Sequence, residues 1–148
     1  MATSQAGVGL GTVLSISPST GTAAYVVVGE LKTFSQSGRQ ASVVDVTNFA
    51  STAKESLAVI VDEGTWEFSG SRVGSDAGQA LMETSFYALA KVLVKVQTPP
   101  RIGQVTTGDL FSFDGIIQEL SYGISAEKEI TITGKLKTTS IITVTLGA

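Results

Sequence analysis

The chain contains no cysteine and no histidine. The first absence excludes disulfides and thiolate metal sites. The second excludes Ser-His-Asp and Cys-His catalysis, and together they remove the commonest zinc ligands. Proline is scarce, 3 residues against 16 glycines, so glycine supplies most of the turns. Charge is scarce as well. Asp, Glu, Lys and Arg make up 16% of the 148 residues, against roughly 25% in an ordinary globular domain. The mean hydropathy is +0.29. A surface poor in charge is expected where other subunits cover much of it.

Long hydrophobic runs are missing. The longest aliphatic stretch is Leu57–Val61, far short of the roughly 20 residues a spanning helix needs. No charged residue precedes Glu30, and Thr, Ser, Gln and Gly interrupt that whole stretch. A secretory signal has a basic start and an unbroken apolar core, so export by that route is not expected. The 10 basic and 13 acidic residues leave a formal charge of −3. A net acidic chain with scattered Lys and Arg is poorly suited to tight nucleic-acid binding.

What is abundant is β-branched: 16 Val, 10 Ile and 18 Thr. These residues pack well on pleated sheets. The length suits one domain. Residues 1–11 are small and Gly-rich and read as a flexible arm. Gly7, Gly9 and Gly11 lack the preceding strand and following helix that a phosphate loop needs. Residues 12–148 read as a single β-domain. Strands are expected over Thr12–Ser17 and Ala23–Val28, the latter apolar on both faces, with Leu31–Phe34 continuing it. Residues 35–56 are rich in Ser, Thr, Ala, Gln and Asn and read as a long polar loop, a kind that is often functional. Leu57–Val73 is a further strand. From Glu63 it places Glu63, Thr65, Glu67, Ser69 and Ser71 on one face and Trp66 and Phe68 on the other.

One helix follows. Asp76 with Gln79, or Ser75, supplies an N-cap. Leu81, Met82, Ser85, Phe86 and Leu89 then form an apolar stripe at helical spacing. Val92, Val94 and Val96 alternate with Leu93, Lys95 and Gln97 in another strand. Leu110–Tyr122 changes parity near Gly115, which predicts a β-bulge there. Two more strands run from Glu129 and from Ile142. The fold class is therefore mainly β, an antiparallel sandwich or barrel with one flanking helix. Its expected core is Trp66, Phe68, Leu81, Phe86, Phe111 and Phe113.

No catalytic constellation emerges. Glu63 and Glu67 sit roughly 13 Å apart along one strand face, and no G-x-S-x-G elbow or calcium-loop spacing is present. The chain is not expected to be an enzyme, and no cofactor or metal is implied.

Several segments in order carry a resemblance: the Gly-rich arm, SVVDVTNFASTAKESLA, VDEGTWEFSGSRV, the helix SDAGQALMETSFYALA, KVLVKVQ and the closing FSFDGIIQELSYGISAEKEITITGKLK. The chain resembles the major tail tube proteins of long-tailed, non-contractile bacteriophages, the lambda-type family. The resemblance implies hexameric rings stacked into a hollow tube, with strands of all subunits forming a β-barrel around a lumen. DNA passes through that lumen during ejection without specific binding. It implies a tape measure protein, a tail terminator and distal tail proteins as partners, with no membrane insertion. It places the protein in the virion tail, assembled in the host cytoplasm. Gly7, Leu10, Arg39, Val44, Asn48 and Phe49, in the arm and the long loop, are the candidate inter-ring contacts.

The acidic row suggests Glu63, Glu67, Asp114 and Glu119 as lumen-lining groups, since carboxylates would let a phosphate backbone slide rather than stick. Alternatively these acids face outward or pair with Lys135 and Lys137 across strands. Two other readings fit the pattern. One is a tube protein of a contractile tail, bacteriocin or type VI secretion machine. The other is a β-sandwich binding module.

Overall fold

The computed structural model describes residues 11–148 apart from Thr22 and Ile102. The strands are β1 (Val13–Pro18), β2 (Val26–Val27), β3 (Leu31–Ser37), β4 (Gln40–Asp45), β5 (Ser56–Asp62), β6 (Thr65–Ser71), β7 (Lys91–Gln97), β8 (Leu110–Gly123), β9 (Thr131–Thr138) and β10 (Thr143–Thr145). A helix, α1 (Ala77–Ala88), lies between β6 and β7. The main sheet runs β2-β1-β7-β8-β9-β6-β3, with β10 on β8, and β4 and β5 form a separate two-stranded ribbon. Every pairing among these strands is antiparallel.

Strict alternation places the core. In β7, Val92, Val94 and Val96 are buried while the residues between them are half-exposed or exposed. In β6, Trp66, Phe68 and Gly70 point inward. Trp66 stacks between Phe34 and Phe113, with ring centroids 4.6 and 5.5 Å apart. The main sheet curls. Leu14 and Val96 from one end of its strand order meet Leu31, Phe34 and Trp66 from the other, and together they line an apolar groove of about 520 Å³.

Helix α1 is capped by Asp76, whose carboxylate accepts from the Gln79 amide at 2.9 Å and from the Gly29 amide at 3.2 Å. The buried Gln79 side chain donates to the Gly29 and Ser71 carbonyls and accepts from the Val73 amide. One glutamine thus ties two chain segments, at Gly29 and at Ser71–Val73, to the first turn of the helix. Met82 and Ser85 face the core.

The structure corrects several expectations. Leu31–Phe34 does not continue the preceding strand. The chain turns at Glu30, which adopts φ of 58°, and β3 pairs with β6 at the edge opposite β2. Strand β2 is a two-residue edge strand with Val27 exposed. Residues 35–56 are mostly ribbon rather than loop, contributing the end of β3, all of β4 and the tip that joins β4 to β5. The register shift in β8 lies between Ile117 and Glu119, beyond Gly115. Leu89 leaves the helical stripe. It is the C-cap in a left-handed conformation, and its side chain is exposed.

Of the expected core, Trp66, Phe68 and Phe113 are buried. Leu81, Phe86 and Phe111 are half-buried and pack against the core from its margin. Leu81 and Phe86 flank the inward face of the helix, and Phe111 lies at the mouth of the apolar groove.

Candidate functional site

The β4–β5 ribbon is the most unusual element. Its sequence favours strand: Val43 and Val44 oppose Ala58 and Leu57, and Val59, Ile60 and Val61 extend the return strand. β-Branched residues at such density normally signal a half-buried surface. Here every residue of both strands is exposed. Val43 and Ile60 have 67% and 66% of their surface open. The tip is built from side-chain caps. Asp45 accepts from the Thr47 amide, Asn48 Oδ1 from the Ala50 amide and Ser51 Oγ from the Asn48 amide. The hydrogen bond from the Thr47 hydroxyl holds the Asp45 carboxyl below its usual value, followed by that from the Thr47 amide. The Phe49 ring stands wholly in solvent at this tip.

At its base the ribbon meets the main sheet through a narrow junction. Ser37 pairs with Thr65 on one side, and Gln40 pairs with Asp62 on the other. Between these pairs lie Gly38 and Arg39 on one strand, Glu63 and Gly64 on the other. Both glycines have positive φ, 76° and 77°. That break in the alternation removes Glu63 from the acidic row. It is 5% exposed, and its Oε2 lies 2.9 Å from Arg39 Nε. Glu63 is therefore not on the face where the pattern from Glu63 to Ser71 places it.

The other expected acids do share a face. Cross-strand register puts Ser35, Glu67, Lys135 and Glu119 in one row of the outer face of β3-β6-β9-β8, and Thr33, Ser69, Thr133 and Ser121 in the next. The first row alternates hydroxyl, acid, base, acid, and the second is all hydroxyl. Lys135 Nζ sits 3.8 Å from Glu67 and 3.9 Å from Glu119. Lys137 pairs with Asp62 at 3.0 Å, and Lys32 pairs with Glu129. Asp114 is half-buried on the same face, its amide donating to the Ser140 hydroxyl. The face is thus a lattice of ion pairs and hydroxyls, less acidic than its carboxylates alone imply.

The candidate inter-ring residues divide. Val44, Asn48 and Phe49 lie on the exposed ribbon and its tip, and Arg39 lies at its base. Gly7 and Leu10, with the rest of residues 1–10 of the arm, lie outside the described residues. Sequence reasoning misses Leu57, Val59, Ile60 and Val61 as surface residues. Their signal is the unbroken apolar run itself, which has no polar alternate to mark an outer face. Among the described residues, no group of three or more acidic side chains could hold a metal ion.

No protein-family model matches the chain, and no curated protein does either. Solved structures do. A chain of the anti-feeding prophage baseplate superposes with a TM-score of 0.70 at 10% identity, covering 98% of each chain. The SPP1 tail tube gives 0.67 at 13% identity, covering 93% of this chain and 77% of that one. The tail of an empty gene transfer agent particle gives 0.66 at 17% identity, covering 95% and 99%. The fold is that of tail tube and baseplate subunits. The matches cover 93–98% of the chain, so the mainly β, antiparallel, one-helix architecture is shared over most of its length.

Proposed function

We propose that this chain is the structural subunit of a phage tail tube, forming hexameric rings that stack into a hollow tube and conduct DNA to the host. The observation that carries the reading is the β4–β5 ribbon. A strand pair with apolar side chains on both faces, uncovered by any described residue of its own chain, needs a partner. A second copy is the partner that the tube fold supplies. The outer edge of β3, unpaired among the described strands, adds a further surface. Unpaired strand edges are an aggregation hazard that ring closure removes.

In this reading the ribbon and the N-terminal arm make the inter-ring contacts, and the ion-paired hydroxyl face of β3-β6-β9-β8 lines the lumen. Glu67, Glu119 and Asp114 give that wall its acids. Lys135 partly offsets them, leaving a surface on which a phosphate backbone neither binds tightly nor is strongly repelled. The tape measure protein would occupy the same lumen before ejection, with terminator and distal tail proteins at the two ends. The chemistry is mechanical, and no catalytic step is assigned.

Negative-stain microscopy of the purified chain across concentration tests the reading. Rings or tubes of stacked rings are expected. A particle that stays monomeric at every concentration overturns it. A second reading, a tube subunit of another injection machine, is favoured by the likeness to the anti-feeding prophage baseplate chain. Copurification with a contractile sheath protein would select it.

A further inference from the structure

We infer that the junction at Gly38, Arg39, Glu63 and Gly64 is a latched pivot that sets the direction in which the β4–β5 ribbon is presented. The inference deepens the tube reading, and rests on it for its purpose though not for its geometry.

The pivot follows from the backbone. Gly38 and Gly64 face each other at the bend between the Ser37–Thr65 and Gln40–Asp62 pairs. A Cβ on Gly38 would come within 3.9 Å of Gly64 Cα. A Cβ on Gly64 would fall 2.9 Å from the Arg39 amide nitrogen and closer still to the Ser37 carbonyl. Glycine also adopts positive φ at no steric cost, whereas other residues do so with strain. The ribbon's two strands therefore cross from one sheet to the other through two glycines at positive φ, Gly64 held by its amide on Asp62 and its carbonyl on the Thr138 amide, Gly38 exposed. Beyond that point all residues of β4 and β5 are exposed, and the ribbon meets the body only at its base, where Ser42, Ile60 and Val61 line an open cleft with Thr139, Ser140 and Ile141.

The latch follows from the side chains. Glu63 is buried beside Thr138, whose hydroxyl has no hydrogen-bond partner among the described residues. The Glu63 carboxylate meets Arg39 Nε at 2.9 Å without a directed hydrogen bond. Glu63 is anchored to the main sheet, its carbonyl accepting from Gln36 and the next carbonyl, of Gly64, from the Thr138 amide, whereas Arg39 is 60% exposed at the start of β4, so a swing of β4 away from β9 would part the two. Such motion would strand a buried carboxylate, which is strongly unfavourable. A second tie joins Asp62 at the end of β5 to Lys137 on β9, 3.0 Å apart. Gln36 Nε2 adds a bond to the Glu63 carbonyl. Arg39 and Glu63 are thus positioning residues. They hold a flexible joint at one setting, and the setting can be released without breaking the main sheet.

The absence of native cysteine makes the test direct. Spin labels at Thr52→Cys on the ribbon tip and Ala80→Cys on the helix report the tip-to-body distance by double electron–electron resonance. Samples are diluted until sedimentation shows single chains. The parent is expected to give one narrow distribution. Arg39→Ala and Glu63→Gln should each broaden it at least twofold, and the double variant should be no broader than the wider single. Unchanged widths in both singles, with native circular dichroism, overturn the latch. An additive double variant overturns the pairing of the two residues. Concentration dependence of tube formation is measured separately on the same variants. The latch predicts a raised threshold for assembly with tubes of normal diameter. A parent that never assembles would defeat the tube reading while leaving the distance result to decide the pivot.

Discussion

Strands β5 and β6 are neighbours in sequence and opposites in environment. β6 buries alternate side chains, Trp66, Phe68 and Gly70, and turns Thr65, Glu67, Ser69 and Ser71 outward. β5 has the more apolar sequence, Leu57 to Val61, and buries none of it. The difference shows that hydrophobicity by itself says a surface needs cover. Alternation says whether the chain supplies that cover. Where apolar residues occupy both faces of an exposed ribbon, the cover has to come from outside. The two left-handed glycines mark where one regime ends and the other begins.

The comparison breaks most sharply if β6 is not core. Replacing Trp66 with Ala removes the centre of the Phe34–Trp66–Phe113 stack and should cost about 3–5 kcal/mol, the usual range for truncating a buried aromatic. Denaturant unfolding measures it. A loss below about 1 kcal/mol would mean that the groove beside Trp66 collapses at little cost and that the curled sheet is held together elsewhere.

The ribbon should behave in the opposite way. Val44→Asp and Ile60→Asp sit on exposed strands, so each should change subunit stability by no more than about 0.5 kcal/mol. Each should also raise the concentration needed for assembly about tenfold or more, equivalent to roughly 1.4 kcal/mol of association free energy. Light scattering at a series of concentrations reads the threshold. Destabilisation as large as that of Trp66→Ala would show that the ribbon is part of the core after all.

The two regions also differ in how much the sequence discloses. β6, β7 and α1 are legible because one face is buried and the pattern has a period: Trp66 and Phe68 at spacing two, Met82 and Ser85 at helical spacing, Asp76 ahead of Gln79. The ribbon is not, because Leu57–Val61 has no period and its partner strand, with Gln40, Ser42 and Asp45, reads as polar loop. Glu63 defeats the pattern because strand parity does not carry through Gly64, where φ is positive. The separation of β2 from β3 turns on Glu30, a non-glycine residue at positive φ, which sequence patterns do not announce. The parity change between Asp114 and Glu119 announces a bulge near Gly115, and only the strand pairing places the register shift further on, between Ile117 and Glu119. The hydroxyl row of Thr33, Ser69, Thr133 and Ser121 depends on pairing between distant strands, which one sequence does not specify.

On the outer face of the main sheet the effects should be smaller. Glu67 is exposed beside Lys135, and exposed pairs of this kind contribute about 0–1 kcal/mol. Glu67→Lys should leave unfolding within that range and leave tubes assembling. In virions it should slow DNA ejection, because a ring of added cations attracts phosphate. Ejection at the parent rate, with normal tubes, would place this face on the outside of the tube.

The smallest effect expected is at the junction itself. Asp62 accepts a hydrogen bond from the Gly64 amide, and that bond, with the Lys137 ammonium behind it, holds the carboxyl below its ordinary value of 3.8. A group whose pKa is lowered by folding favours the folded state when ionised. Its contribution is complete above the unfolded value and is lost as pH falls through the folded one. The stability difference between the parent and Asp62→Asn should therefore be constant above about pH 5 and shrink as the solution is taken below 3.8, where both side chains become neutral. The Trp66→Ala deficit should hold level across that range, because no titration accompanies an indole. Chemical denaturation of the three proteins at a series of pH values separates the two behaviours. An Asp62→Asn difference that persists undiminished into strong acid would show that shape rather than charge joins the ribbon to the sheet at this position.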